Sequence, residues 1–429
     1  MGALIISVIT LGCKVNACES GSIISRLNGM NHQASEGLFP ADVYIINTCS
    51  VTAEADRKSR QYISKCVSLN PDCKIIIVGC SSQNNPEKFY KSNVIAVGGT
   101  HNKENFVSSV IENIGNCRYN TLSDIILFTK NDEILCKNPV YCGDSIPVSD
   151  KTRTFVKIQD GCNRFCSYCI IPYVRGRSRS RAIEDIVREC LLSESNEIVL
   201  TGIDISVYGV DIGCNLTDLM FALKPVKARK RLGSLECEII DEHLLNAAAE
   251  ADFCPHFHLS LQSGSDEVLK TMNRHYDTEY FYSKVELIRK YFPNAGITTD
   301  IIVGFPTETD ELFNNSLKFI EKCSFSDIHV FPYSSRTGTL ASKKYSVLPK
   351  KIVSDRVKAM LEVKKSTHGR FIAQNLGAVM PVYVEDGENG YNVGYTPNYI
   401  RVFCGAPCGK ISDIKLLSAY NDGALGEKV

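Results

Sequence analysis

Cys162, Cys166 and Cys169 stand in the stretch GCNRFCSYCIIPYVRG, three soft metal ligands within eight positions. A CxxxCxxC loop is short enough to wrap one cubane iron–sulfur cluster, and a ferredoxin-type cluster is closed by a fourth cysteine. Here the chain runs on as IIPYVRG without one. Three thiolates on a four-iron cluster leave one iron free for a small molecule that offers an amine and a carboxylate. Zinc competes for the same sulfurs, but a structural zinc site takes four ligands, and no histidine stands near the loop in sequence. Phe165 and Tyr168 sit among the cysteines, placed either to shield a cluster or to stack on an adenine.

A second trio is spread out. The apolar runs IISVITLGC, DVYIINTC and CKIIIVGC end at Cys13, Cys49 and Cys80. Each run reads as a parallel strand buried on both faces. Helix-like stretches such as 53–67 lie between them, a βαβ pattern. Parallel strands place their C-terminal ends on one edge, where ligands of open α/β sheets sit. The three cysteines are therefore expected to converge, either on a second cluster or as ordinary buried thiols. Cys18, Cys66 and Cys73 read as structural. A turn-rich linker is expected over 121–145, with Cys117, Cys136 and Cys142 unassigned.

Beyond the linker, RTFVKIQDG reads as a strand that delivers the CxxxCxxC loop. EIVLTGIDI, LECEII, HFHLSLQSG, AGITTDIIVGF and DIHVFPY follow as strands, with helices at 181–193, 265–272, 277–291 and 310–322. That rhythm implies a partial or full (β/α) barrel whose chemistry sits at strand ends. The strand-end polar candidates are Thr201, Asp204, Glu236, Gln262 and Asp300. His256 and His258 alternate along one strand face, as packed or as functional side chains.

Charge is distributed unevenly. Arg175, Arg177, Arg179 and Arg181 alternate in YVRGRSRSR, a stripe suited to a polyanion or to solvated and carboxylate-paired roles. KARKR at 227–231 is a second basic run, in which Arg231 is a candidate partner of a carboxylate. Residues 341–380 hold nine Lys or Arg against two acids, a net of +7, within a chain whose formal charge is zero. Much of that region reads as a helix. VMPVYVED, GYNVGYTPNYIRVF and GKISDIKLLSAY then read as a small β-barrel, a module that binds nucleic acid through grooves and aromatic platforms. Tyr391, Tyr395, Tyr399 and Arg401 are its candidate contacts.

The 429 residues exceed one ordinary core, so two or three domains are expected. A content of 44% hydrophobic and 22% charged residues is that of a globular protein. The apolar start MGALIISVITLG is too short to cross a bilayer and lacks a preceding basic residue, which argues against a signal peptide. With 19 cysteines in a chain of this size, reduced thiols are expected rather than a disulfide framework.

The sequence resembles the radical S-adenosylmethionine methylthiotransferases along nearly its whole length. TLGCKVNACES, IINTCSVTAEAD and IIIVGC resemble that family's amino-terminal domain. QDGCNRFCSYCIIPYVRGRSRSR, EIVLTGIDISVYG, HFHLSLQSGSDEVLKTMNRHY, TTDIIVGFPTET and FPYSSRTGT resemble its radical domain. GYTPNYIRV resembles its RNA-binding TRAM barrel. The wording TLGCKVN is similar to the branch that acts on threonylcarbamoyladenosine beside the tRNA anticodon.

The resemblance implies an α/β protein in four parts: 1–120 with an auxiliary cluster, a linker over 121–145, a radical S-adenosylmethionine domain over 146–368 and a TRAM-like barrel over 369–429. It implies two [4Fe-4S] clusters, held by Cys162, Cys166 and Cys169 and by Cys13, Cys49 and Cys80. It implies S-adenosyl-L-methionine as cofactor, with Asp204, Glu236 and Gln262 as contacts. A 5′-deoxyadenosyl radical would take the hydrogen from adenine C2, where a methylthio group is then built. The expected partners are tRNA and an electron donor such as flavodoxin or ferredoxin. A monomeric cytoplasmic chain with no membrane partner is expected. Two alternatives stand: the same chemistry on N6-isopentenyladenosine or on an aspartate of a ribosomal protein, and a non-catalytic iron–sulfur or zinc RNA-binding protein. Two departures from the family pattern are Cys18, where an aromatic residue is expected, and Gly233, where serine is usual.

Overall fold

The computed structural model describes residues 2–50, 53–114, 126–127, 141, 153–388 and 390–429. Cys117, Cys136 and Cys142, and the expected linker apart from residues 126, 127 and 141, lie outside them.

The first six strands are β1 (Ile5–Thr10), β2 (Gln33–Glu36), β3 (Val43–Thr48), β4 (Lys74–Gly79), β5 (Val94–Val97) and β6 (Ile126–Leu127). They form one sheet in the order β2-β1-β3-β4-β5-β6, and every pair in it is parallel. Ile6, Val8, Ile45 and Ile76 pack on one face with Ile23, Leu27, Val107 and Val110 from two helices. Tyr44, Ile46, Ile75 and Ile77 pack on the other with Ile63 and Cys66. Both faces are covered, which is why the strand sequences are apolar throughout rather than alternating. Cys66 and Cys73 are core residues, as expected. Three of the six strands were legible as apolar runs; β2 is a polar edge strand, QASE, and β5 has only four residues.

The middle of the chain holds β7 (Arg153–Lys157), β8 (Gln159–Asp160), β9 (Arg179–Ser180), β10 (Glu197–Thr201), β11 (Arg229–Leu232), β12 (Ser234–Leu235), β13 (His256–Gln262), β14 (Gly296–Val303) and β15 (Asp327–Pro332). Two parallel sheets form, β11-β10-β7 and β12-β13-β14-β15. β11 and β12 are separated by Gly233 alone, so one strand path passes from the first sheet into the second. A Cβ at Gly233 would lie 2.9 Å from the Leu200 carbonyl oxygen, so the glycine lets the two backbones approach closely. Among the described residues β15 does not pair with β7, so the barrel is partial. Helices Thr278–Tyr291 and Asp310–Cys323 cover one face of the second sheet, burying Phe257, Leu259, Leu261, Ile297, Ile301 and Ile328.

Two sequence expectations change here. LECEII is strand only to Leu235, then turns into a short 3-10 helix, Cys237–Ile239. The KARKR run is largely strand β11, with Lys230 and Arg231 buried.

Helix Lys350–Asn375 packs along β15 and leads into the last module. The expected boundary at 368/369 falls inside this helix. β16 (Val379–Glu388), β17 (Tyr391–Tyr395), β18 (Arg401–Cys404), β19 (Ile411–Tyr420) and β20 (Gly423–Lys428) close a barrel in the order β16-β17-β18-β20-β19. Val382, Val384, Val402, Ile414 and Leu416 fill it. No described helix is long and apolar enough to cross a membrane.

Candidate functional site

β1, β3 and β4 are neighbours in the first sheet, so the chain segments leaving them start side by side. Cys13 lies three residues past β1, Cys49 immediately follows β3 and Cys80 immediately follows β4. Gly12 has φ +101, and a Cβ there would meet the Cys49 Sγ at 2.5 Å; only glycine allows the first loop to rest on the second cysteine. Cys13 is the N-cap of helix Lys14–Gly29, and Cys80 opens helix Cys80–Asn84. Burial pushes the Cys80 thiol up, while Arg175 and Lys103 oppose it and Cys13 adds to it. Three sulfurs at strand ends, with buried cations beside them, fit an anionic iron–sulfur cluster.

Cys18 stands close enough to Cys13 to interact with it electrostatically, but its thiol is engaged elsewhere. Its Sγ donates to the Phe155 carbonyl oxygen across the domain joint at 3.2 Å, and burial holds its thiol far above the ordinary range. It stitches the first helix to β7.

The CxxxCxxC loop is held from below. Ser167 N–H donates to the Met272 carbonyl at 2.9 Å and its hydroxyl to the Thr271 carbonyl at 2.8 Å. Asn273 donates to the carbonyls of Arg164 and Phe165. Phe165 has φ +50, with Arg177 over its ring at 4.6 Å. Tyr168 packs into a small cluster with Val268, Met272 and Phe305. Burial pushes the Cys162 thiol up and the Cys169 thiol up to about 12, with the neighbouring cysteines adding to both. Crowded thiols that resist ionisation alone, as Cys162 and Cys169 do, suit a cationic iron centre that shares their charge. The amino-terminal cysteines reach the loop through Cys80, which packs on Ile170, the residue after Cys169, and interacts electrostatically with Cys169.

Above the loop lie the expected cofactor contacts. Asp204 caps a 3-10 helix after β10 and accepts from Arg164 Nε at 2.7 Å. Glu236 follows β12, pairs with Arg274 and stands 3.6 Å from Arg164 Nε. Arg164 also reaches Glu238 at 2.8 Å. Gln262 ends β13 at φ +71, beside an irregularity in its pairing with β14. A non-glycine residue in that region is strained, and such strain gathers where a side chain must be aimed. Thr201 is buried at the end of β10. Asp300 is not at a strand end: β14 continues to Val303.

The four arginines of the basic stripe separate. Arg175 is fully buried and donates to Glu19 at 2.9 Å, Asp160 at 3.0 Å and Asn16 at 2.7 Å. Arg179 is buried against Asp160 at 2.9 Å, and Arg181 against Glu189. Their charge is spent inside the molecule, so the structure contradicts a phosphate-binding role for these three. Arg177 is exposed. The candidates on the small barrel fare similarly. Tyr399 stacks on His256 of β13 with centroids 4.4 Å apart, in the joint between the barrel and the middle of the chain. Arg401 pairs with Asp422 at 2.8 Å. In the same joint Arg231 pairs with Glu197 at 3.0 Å and donates to the carbonyls of Pro397 and Thr396. Tyr391 is exposed and Tyr395 half-buried.

Sequence reasoning missed the carboxylates and cations that tie the trios together. Glu19 receives Lys103 at 2.5 Å, Lys157 at 2.7 Å and Arg175. Burial alone would raise its carboxyl; the three cations outweigh burial and hold it well below the usual range. Arg274 donates to the Cys166 Sγ at 3.3 Å, and Arg175 to the Cys80 Sγ at 3.3 Å. Glu19, Asn16, Arg164 and Arg274 all lie within or beside the cysteine-bearing and TMNRHY stretches, the only signal that marked them.

Comparison with known proteins places these elements in context. The model of the radical SAM superfamily matches residues 156–320, and that of the uncharacterized protein family UPF0004 matches residues 6–98. The threonylcarbamoyladenosine tRNA methylthiotransferase MtaB of Bacillus subtilis is 35% identical over 96% of this chain and 94% of its own. The tRNA-2-methylthio-N(6)-dimethylallyladenosine synthase of Clostridium tetani is 33% identical over 98% of this chain and 95% of its own. Among solved structures, the apo cobalamin-dependent S-adenosylmethionine radical enzyme OxsB aligns with a TM-score of 0.50 at 10% identity, covering 85% of this chain and 56% of that one; this likeness is one of fold.

Proposed function

The chain belongs to the radical S-adenosylmethionine methylthiotransferase family, and from that premise we infer that it inserts a methylthio group at C2 of N6-threonylcarbamoyladenosine at position 37 of tRNA. The observation that supports this reading is the approach of Cys80 to Ile170, the residue after Cys169, beside the CxxxCxxC loop. Bound to Cys162, Cys166 and Cys169, a [4Fe-4S] cluster supplies one-electron cleavage of S-adenosyl-L-methionine, and a second at Cys13, Cys49 and Cys80 supplies the site of sulfur transfer.

The protein's part is positioning. Arg164 gathers Asp204, Glu236 and Glu238 beside the first loop. Asp204, Glu236 and Gln262 are the proposed contacts for S-adenosyl-L-methionine. Met272, Thr271 and Asn273 fix the loop that carries the sulfurs. Tyr168, seated among apolar side chains, excludes water from one side of it. For tRNA, the available surface is Arg177, Tyr391 and the exposed Lys343, Lys344, Lys350, Lys351, Lys358 and Lys365 along and before the long helix. The domain boundaries at 120 and 145 are proposed as the working division, with the last boundary placed at the end of the long helix Lys350–Asn375, flavodoxin or ferredoxin as electron donor, and a monomeric chain in the cytoplasm.

The test is anaerobic reconstitution with iron and sulfide, then assay for 5′-deoxyadenosine and for modified nucleosides in tRNA. The expected result is 2-methylthio-N6-threonylcarbamoyladenosine. Methylthiolation of N6-isopentenyladenosine instead would favour the activity named for the Clostridium tetani relative. No cleavage of S-adenosyl-L-methionine at all would overturn the enzymatic reading.

A further inference from the structure

The second sheet of the radical domain turns one face to the helices and the other away from them. On that other face three adjacent strands each contribute one residue: His258 from β13, Asp300 from β14 and His329 from β15. Asp300 pairs directly with His329 in the strand register, and His258 pairs with Thr298, two residues before Asp300. His258 Nε2 lies 3.3 Å from Asp300 Oδ2, and His329 Nδ1 lies 3.1 Å from Asp300 Oδ1. One ligand atom from each residue falls within 4.8 Å of the other two.

We propose that His258, Asp300 and His329 bind a divalent first-row transition cation, separate from both cysteine trios. Ligand atoms about 2.0–2.1 Å from a tetrahedral ion stand roughly 3.3 Å apart. Each imidazole stands at about that separation from one oxygen of the Asp300 carboxylate, His258 from Oδ2 and His329 from Oδ1, and a single-atom set from the three residues closes to within 4.8 Å. Two imidazole nitrogens and one carboxylate oxygen, with no thiolate, select Zn2+, Fe2+ or Mn2+ and leave further positions open, the donor set of reactive rather than purely structural sites.

A second observation concerns how the ligands are aimed. His258 Nδ1 meets the Thr298 hydroxyl at 2.8 Å, and the same hydroxyl meets His256 Nε2 at 3.1 Å. Ligating histidines characteristically have their other ring nitrogen fixed in this way. Here the bond fixes the His258 ring and leaves Nε2 facing Asp300. The site is reachable: the His258, Asp300 and His329 side chains are 11%, 27% and 50% exposed. The alternative is a hydrogen-bonded His–Asp–His cluster without metal, and the two differ in what they bind.

The experiment uses the full chain with its iron–sulfur clusters loaded, so that iron occupies the cysteines. It is titrated anaerobically with Zn2+ alone, and bound zinc is measured by mass spectrometry. Co2+ substitution is followed by absorption, because thiolate ligation adds charge-transfer bands that nitrogen and oxygen ligands do not. The expected result is about one zinc per chain and a cobalt spectrum free of thiolate bands, with affinity reduced at least about tenfold in His329→Ala and Asp300→Ala. His329 is the most exposed of the three, and unchanged iron content in its variant shows that the fold is intact. Wild-type affinity in that intact variant would overturn the proposal. So would thiolate bands in the cobalt spectrum, or no zinc in the wild type.

Discussion

The two cysteine regions solve one problem by different means. The CxxxCxxC loop is local: its three cysteines lie within eight residues, and its supports, Thr271, Met272, Asn273 and Arg274, belong to the same domain. The amino-terminal trio is assembled from three strand ends, and its guanidinium comes from elsewhere. Arg274 donates to Cys166 within the radical domain, whereas Arg175 reaches out of that domain to donate to Cys80. Hydrogen bonds to cluster sulfurs tune a cluster's potential. The local site therefore carries its own guanidinium, while the distributed site has Lys103 of its own domain nearby and acquires a guanidinium only when the two domains are docked.

The largest effects should come from removing single ligands on either side. Cys162→Ala is expected to abolish 5′-deoxyadenosine formation and to lower iron from about eight to about four per chain, the arithmetic of two four-iron clusters. Cys80→Ala should lower iron equally yet keep 5′-deoxyadenosine formation, with loss only of the methylthiolated nucleoside. Iron analysis and product chromatography on both variants make the check. If Cys80→Ala also lost cleavage of S-adenosyl-L-methionine, the two regions would not be separable.

The same contrast explains what the sequence revealed. The local loop was readable because spacing alone encodes it. The distributed trio was readable because apolar β-branched runs mark strands, and parallel strands share an edge. The ion-pair network was not readable. Arg175 finds Glu19 across 156 residues, and nothing local distinguishes an arginine aimed at a phosphate from one aimed inward. β11 was hidden for a related reason: RKRL reads as surface charge until Glu197 and the barrel carbonyls appear opposite it. β20, GALGEK, has too much glycine to signal a strand. Asp300 was misplaced because β14 runs on past it to Val303.

A change at the docking arginine should have a smaller but broad effect. Arg175→Met keeps the volume but strands Glu19 and Asp160, both buried, beside fewer cations. Breaking a buried pair from one side costs roughly 3–5 kcal/mol, read as a lower denaturant midpoint. Iron should be lost first from the amino-terminal trio, seen as selective loss in Cys162→Ala, Arg175→Met compared with Cys80→Ala, Arg175→Met. Arg175→Lys should restore only part of the stability, because a lysine cannot divide itself among Glu19, Asp160, Asn16 and the Cys80 sulfur. Equal iron loss from both trios would mean that Arg175 serves the whole joint rather than one site.

The smallest effect is a titration in the amino-terminal domain. Glu104 is buried in the first turn of helix Lys103–Asn113. Burial, with Glu19 adding to it, pushes its carboxyl up to about 7. A carboxyl raised on folding is bound more tightly to its proton in the folded state. Its contribution is complete below the ordinary value of 4.5 and is lost as pH rises through about 7. Above that, the folded chain must hold a buried charge, at a cost of at most about 3 kcal/mol. Glu104→Gln keeps the neutral shape at every pH. Its urea midpoint should therefore match the wild type near pH 5 and exceed it at pH 8. A constant difference between the two proteins across that range would show that Glu104 is already ionised when folded, and would remove the pH-dependent element from this side of the comparison.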